Sequence, residues 1–183
     1  DENGNILSGW HLKNSNKPAR VKEEHSETAY MTDRAIDFIK ENKKLSWMLH
    51  LSYIKPHWPY IAPSPYHNMY SSNTFLPVHR SNEELENMHP VFKTFSDMEV
   101  SKNFSLQKVR ETVLSGYMGL VKQIDDHLGR LFAFLEDEDL FKNTMIVFTS
   151  DHGDYLGDHW LGEKELFHEA SVKMPLIIYD PDK

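Results

Sequence analysis

An α/β fold, with mostly parallel strands joined by a long crossover helix, is expected from three features of the chain. Two short, apolar, β-rich runs at 45–54 and 144–149 flank the strongest amphipathic stretch in the sequence. A third run, Pro175-Leu176-Ile177-Ile178-Tyr179, follows near the end. Strand, long helix, strand is the order of a parallel pair linked through a crossover, because parallel neighbours need a dozen or more residues between them.

Each element has its own signal. Residues 1–25 lack periodicity, are rich in loop formers and are expected to be an irregular lead-in. From Ser26 the pattern changes. Met31, Ala35, Phe38 and Ile39 recur at helical spacing, with Ser26 or Thr28 as cap and a stop near Asn42. Leu45 to Ile54 is aromatic and apolar, as a buried strand requires. Pro56, Pro59, Pro63, Pro65 and Pro77 then exclude helix interior and central strand, so 55–80 reads as an ordered, aromatic-rich loop. Ser81-Asn82-Glu83-Glu84 has a capping-box pattern and starts a short helix, and 90–104 is expected to be irregular. From Ser105, taken as a cap, Leu106, Val109, Val113, Leu120, Ile124, Leu131 and Leu135 hold one helical face.

Composition narrows the function. The 183 residues carry a net charge of -8 and no cysteine. Without cysteine the chain has no disulfide scaffold, thiolate-ligated zinc or thiol nucleophile. An acidic balance argues against nucleic acid as a partner, which needs a basic surface. A 39% hydrophobic content is that of a globular chain. No apolar run approaches the roughly 20 residues of a membrane span, so no membrane partner is expected.

The chemistry-bearing residues cluster where the strands end. In open α/β sheets ligands sit beyond the carboxyl ends of the strands. Lys55-Pro56-His57-Trp58 and Asp151-His152-Gly153-Asp154 occupy two such ends, and parallel strands would bring them to one side. Asp151 and His152 offer a hard oxygen and a borderline nitrogen, a pair suited to Mn, Fe or Zn, with Gly153 permitting the sharp exit. The plainer alternative is a turn in which Asp151 bonds to nearby backbone. His57, restricted between prolines, suits a general acid or an anion donor, or is a surface His in a Pro-rich turn. Lys164 follows two glycines but fails the phosphate-loop pattern, since Glu163 intervenes and no Ser or Thr follows. It gains interest as a cation able to hold an anionic ester oxygen beside a metal. His67, His159 and His168 are further loop histidines. His168-Glu169 does not extend to the zinc-protease pattern, because Val172 stands where the second His would be. Asn103-Phe104-Ser105 matches a glycosylation sequon, though Ser105 is better explained as a cap. Trp58, Tyr60, Tyr66 and Trp160 either line a pocket for a flat group or simply pack.

Two stretches together resemble a known family. Thr149-Ser150-Asp151-His152-Gly153, Leu156-Gly157-Asp158-His159, Lys164 and Glu169 before Val172-Lys173-Met174-Pro175-Leu176 resemble the sulfatase branch of the alkaline phosphatase superfamily. His50 to Pro63, with Pro65-Tyr66-His67, is similar to the phosphonate monoester hydrolase and arylsulfatase group within it. The resemblance covers roughly 26–181. It implies a partial alkaline-phosphatase-like sandwich, with 26–183 forming part of one catalytic domain. It implies metal-dependent hydrolysis of sulfate, phosphonate or phosphate esters, with a small anionic ester as substrate. Asp151 and His152 would be metal ligands for one divalent ion, Mn, Ca or similar; His152, where many sulfatases place Asn beside calcium, fits the Mn-like case. His57 and Lys164 would be catalytic and would touch substrate, with Tyr60 and His159 as further substrate-binding residues. The family's formylglycine nucleophile lies N-terminal to the His57 motif and is expected upstream. Asn16-Lys17-Pro18-Ala19-Arg20 has its Pro and Arg spacing, but Asn cannot be oxidised to the aldehyde. An internal fragment holding half a site is therefore expected, with a homo-oligomeric whole protein and a cytoplasmic, bacterial-type location as further expectations. Alternatives are a two-metal phosphodiesterase or phosphomutase of the same superfamily, and a non-catalytic domain that binds anionic esters.

Overall fold

The computed structural model of the protein describes residues 15–183, so the first fourteen positions of the lead-in lie outside the described residues. Helix α1 (Glu27–Asn42) starts where Ser26, in extended conformation, accepts a hydrogen bond from the backbone N–H of Ala29 at 3.2 Å. That satisfies one of the helix's orphan donors, as the sequence suggested. Its buried stripe is Thr28, Ala29, Thr32, Ala35 and Ile39.

The region 90–104 is not irregular. It forms α2 (Pro90–Ser96) and α3 (Glu99–Phe104). Pro90 sits in the first helical turn, where its missing N–H costs nothing, and His89 Nδ1 accepts from Val91 N at 3.2 Å. Ser81 makes no capping bond to the 3-10 turn at Asn82–Leu85. Ser105 does not cap the start of the long helix either. Its hydroxyl donates back to the carbonyl of Lys102 at 2.7 Å, and α4 begins after Leu106.

Helix α4 (Gln107–Asp137) is the spine, 31 residues and about 46 Å long at 1.5 Å per residue. Its N-terminal half packs Val109 and Val113 with Tyr60 and Phe104, and Leu120 with Ala62 and Tyr66. The Pro-rich loop can lie this close because α4 offers a glycine: a Cβ on Gly119 would stand 2.3 Å from the carbonyl oxygen of Tyr66. The C-terminal half packs Leu131 and Leu135 with Ile39 of α1, and Trp47, Leu49 and Leu51 cover them. Polar bonds tie α4 to α1 and to the turn that precedes it. His127 Nε2 donates to Glu23 at 2.6 Å, and Arg130 donates to Asp33 at 2.7 Å.

The strands β1 (Ile146–Thr149) and β2 (Leu176–Tyr179) pair with each other, Ile146 opposite Tyr179 and Thr149 opposite Leu176. They run antiparallel, which corrects the expected parallel arrangement. The connection from 150 to 175 is a loop with a 3-10 turn (Asp158–Trp160) and one short α-helix, α5 (Glu169–Val172), and it returns the chain alongside the strand it left. The run 46–54 forms no ladder with either strand among the described residues, because β1 and β2 complete a two-stranded sheet. It lies instead on the α1–α4 cluster beside Ile146.

Candidate active site

The two polar clusters do meet, although the runs that precede them are not a parallel pair of strands. Lys164 Nζ lies 2.9 Å from His57 Nε2, and the His57 and His152 rings are 6.3 Å apart, centre to centre. The convergence follows from how each loop is held.

The His57 loop is stitched from inside. Lys55 donates to the carbonyls of His57 at 3.2 Å and Pro59 at 3.1 Å, and burial holds its ammonium below the ordinary lysine value. His57 Nδ1 donates to the carbonyl of Trp58 at 3.0 Å. That fixes the neutral ring as the Nδ1–H tautomer and leaves Nε2 to accept from the Lys164 ammonium.

The second loop leaves β1 through Ser150. Asp151 accepts from the backbone N–H of His152 at 2.9 Å, and its side chain is 84% exposed. Desolvation pushes this carboxyl up, but the His152 N–H, the nearby imidazole and the Ser150 hydroxyl together hold it below the usual carboxylate range. The local turn of the plainer reading is therefore present, and it leaves the outer face of the carboxylate open. His152 Nδ1 donates to the carbonyl of Gly153 at 2.8 Å, so its Nε2 lone pair is free, 3.5 Å from Asp151 Oδ2. An imidazole oriented through one nitrogen and a carboxylate beside it make a fitting oxygen-plus-nitrogen donor pair for a divalent cation. Among the described residues no third His, Asp or Glu joins them. Gly153 is required by close approach more than by turning. A Cβ there would stand 2.0 Å from the carbonyl oxygen of Ala170, and its N–H donates to Ser171 at 2.7 Å.

Behind these groups lies a buried pair. Tyr60 is 1% exposed and belongs to the core, which corrects its expected place against substrate. Its hydroxyl donates to Asp154 Oδ2 at 2.6 Å, and Leu156 N donates to Oδ1 at 3.1 Å. Burial, with Glu163 nearby, raises the Asp154 carboxyl to about 6 despite those two donors. The bond ties the His57 loop to the Asp151 loop across 94 positions. Sequence reasoning placed Asp154 in the polar cluster but could not find its partner.

The rest of the loop is held by two arginines that it also missed. Arg110 donates to the carbonyls of Leu156 and Leu76, and Arg80 to those of Phe104 and Ser105. Arg80 also lies 4.2 Å above the Trp160 ring. Tyr66 donates to Asp126 at 2.9 Å, so these aromatics pack and bond within the fold. His159 is turned to Glu84, with Nδ1 2.9 Å from Oε1, and stacks on His168; it does not join His57 and Lys164.

Comparison with known proteins bears on the family and the fold. The family described as Sulfatase matches residues 4–183. A protein of Trinickia caryophylli called multifunctional alkaline phosphatase superfamily protein PehA is 35% identical over 182 residues, covering 91% of this chain and 35% of that protein. An arylsulfatase of Clostridium perfringens is 28% identical, over 90% of this chain and 34% of its own. Among solved structures, a phosphonate monoester hydrolase from Silicibacter pomeroyi superposes with a TM-score of 0.83 at 32% identity, over 91% of this chain and 35% of that one. A second, from Agrobacterium radiobacter, shares the fold at a TM-score of 0.84 and 24% identity. The chain thus has the α/β fold of these neighbours and spans about a third of the length of the relatives it matches.

Proposed function

We propose, from the premise that this chain belongs to the sulfatase family, that the whole protein hydrolyses sulfate, phosphonate or phosphate esters and that these residues supply one wall of its site. The observation that carries the reading is the Lys164–His57 contact of 2.9 Å, made between residues 107 positions apart and set beside Asp151 and His152.

The reaction breaks the bond between sulfur or phosphorus and the ester oxygen, adds water, and releases an alcohol and an anion. Charge grows on the oxygens of the transferring group and on the departing oxygen. Lys164 has three N–H donors; one is engaged by His57 Nε2, which aims the others. A positioned cation of this kind stabilises developing negative charge most where water is excluded. His57 cannot donate through Nε2 while it accepts from Lys164, so the two act as one unit. The ammonium supplies the proton to the leaving oxygen, and the imidazole orients it and shares the charge. Asp151 and His152 would hold the divalent ion, which when bound supplies Lewis-acid polarisation of the ester oxygens. A formylglycine made from cysteine would have to come from outside these residues, which contain none.

The test is an assay of the intact, metal-loaded protein on 4-nitrophenyl sulfate and on a 4-nitrophenyl phosphonate monoester. Turnover of either is expected, and its loss in Lys164→Ala supports the role assigned to the pair. Binding of both esters without turnover of either would replace the reading with that of an anionic-ester-binding domain.

A further inference from the structure

Helix α5 buries one residue, and that residue is polar. Ser171 is 4% exposed, while Val172 beside it is 44% exposed. Apolar burial does not explain a turn that hides its serine and shows its valine. A buried hydroxyl is stable where it is hydrogen-bonded, so the partners of Ser171 define its role.

Both partners lie in the site. Ser171 Oγ donates to the main-chain carbonyl of Lys164 at 2.7 Å. The Ser171 carbonyl accepts from Gly153 N at 2.7 Å. Gly153 accepts through its own carbonyl from His152 Nδ1 at 2.8 Å and so orients that imidazole. Ser171 therefore stands one hydrogen bond from the lysine arm and two from the His152 ring. The 151–153 arm lies against α5 as closely as a main chain can, since a Cβ on Gly153 would stand 2.0 Å from the Ala170 carbonyl oxygen.

The two arms differ in how they are held. The Gly153 bond uses main chain on both sides and survives a change of side chain at 171. The lysine arm depends on the hydroxyl. Lys164 N donates to the carboxylate of its neighbour Glu165 at 2.9 Å, a bond that travels with the lysine. Glu163, on the other side, has a φ of 61°, a region costly for a residue with a side chain. Tyr155 N donates to the Glu163 carbonyl at 2.8 Å and holds that residue in place, and Ser171 Oγ holds the next one. The 2.9 Å contact with His57 is made at the end of a flexible four-carbon stem, so it inherits any shift of the main chain at 164.

We infer that Ser171 is a positioning residue: its hydroxyl fixes where the Lys164 ammonium stands relative to the Asp151–His152 arm, which its carbonyl holds. Its part in catalysis rests on the hydrolase reading; the placement of Lys164 does not. Misplacing a working group by about 1 Å can cost about 10²-fold in rate, so one hydroxyl is enough to matter.

The experiment compares the intact protein with Ser171→Ala, which keeps the helix and the Gly153 bond, and with Thr144→Val. Thr144 Oγ1 donates to the Leu140 carbonyl at 2.8 Å, a similar bond at the end of β1 opposite Asp151. Three quantities are measured: the ring-nitrogen NMR signal of His57 Nε2, which reports the Lys164 contact, Mn²⁺ affinity by calorimetry, and kcat and KM on the 4-nitrophenyl esters. In Ser171→Ala the His57 signal is expected to move towards its position in Lys164→Ala. Mn²⁺ affinity should stay within about twofold, as for an independent site. The kcat should fall about tenfold with KM within about twofold, a loss made in the transition state. Thr144→Val should match the parent in all three. An unmoved His57 signal in Ser171→Ala would overturn the assignment. So would a loss of Mn²⁺ affinity as large as the loss of kcat, because Ser171 would then only prop up the whole loop, or an equal His57 shift in Thr144→Val. Absence of turnover in the parent, with the His57 signal moving as expected, removes the hydrolase reading and leaves the placement of Lys164 by Ser171 standing.

Discussion

The two halves of the molecule meet opposite standards of completeness. Around the N-terminal half of α4, loops, arginines and core rings satisfy one another: Phe104 and Val113 are fully buried, Tyr60 bonds to Asp154, and Arg110 bonds to two loop carbonyls. At the other end, β1 and β2 carry apolar residues on both faces, and Val147, Leu176, Ile177 and Ile178 are each more than half exposed. An isolated two-stranded sheet is marginal in water. The site wall owes its geometry to the first half and needs nothing from the second except a place for Asp151 to leave β1. Site precision and sheet completeness are separable properties in this chain.

That separation can be broken by mutation, beginning with the largest effect. Phe104→Ala removes a ring with no exposure at the junction of α3, α4 and the 156–162 loop. It should cost about 3–5 kcal/mol in urea unfolding. Lys164→Ala should leave stability nearly unchanged and lower kcat/KM on an aryl ester by about 10²–10³, the cost of removing one donor from developing charge. A loss of folding as large as that of Phe104→Ala would show that the lysine holds the wall up instead of working on it. Tyr60→Phe keeps the core ring and removes one hydrogen bond from buried Asp154, for about 1–3 kcal/mol, read by the same unfolding curves.

The pH prediction is smaller. Burial and His159 lower the His168 value, so below about 6.5 the unfolded chain binds a proton that the folded ring refuses. The His168 contribution to stability should therefore fall as pH drops from 7 towards 5, opposed by the raised carboxyl of Asp154, and the Tm of His168→Phe should gain on that of the parent chain over this range. The smallest effect belongs to the sheet. Ile177→Thr, at a position 61% exposed, should stay within about 0.5 kcal/mol of the parent chain in urea. A cost approaching that of Phe104→Ala would mean that this face is covered in solution, and the contrast between the halves would be lost.

Much of this arrangement is legible in the residues. Ser26 and the periodicity after it mark α1, and the long apolar face marks α4, because both signals are local. Asp151, His152 and His57 are identifiable as residue types after apolar runs, and Lys164 as a loop cation, and the structure brings them together. What escapes is non-local. The β1–β2 direction depends on how the 150–175 loop returns, which no periodicity records. Tyr60 and Asp154 look like a pocket aromatic and a member of a polar cluster until burial pairs them. The helices α2 and α3 are only seven and six residues long, too short for a face to show, although Pro90 in the first turn was a usable sign.

The bonds that draw the two loops together span long stretches of chain: 107 positions between Lys164 and His57, 94 between Tyr60 and Asp154, and 46 between Arg110 and Leu156. In kinetic terms such contacts come late, because loop closure must precede the reward of the contact. Helix α4 shortens that search, since one rigid rod docks the Pro-rich loop on one surface and the 156 carbonyl on another. The Lys164–His57 contact thus closes the longest loop of the three, and it forms only when both loops are seated on the helix that carries them.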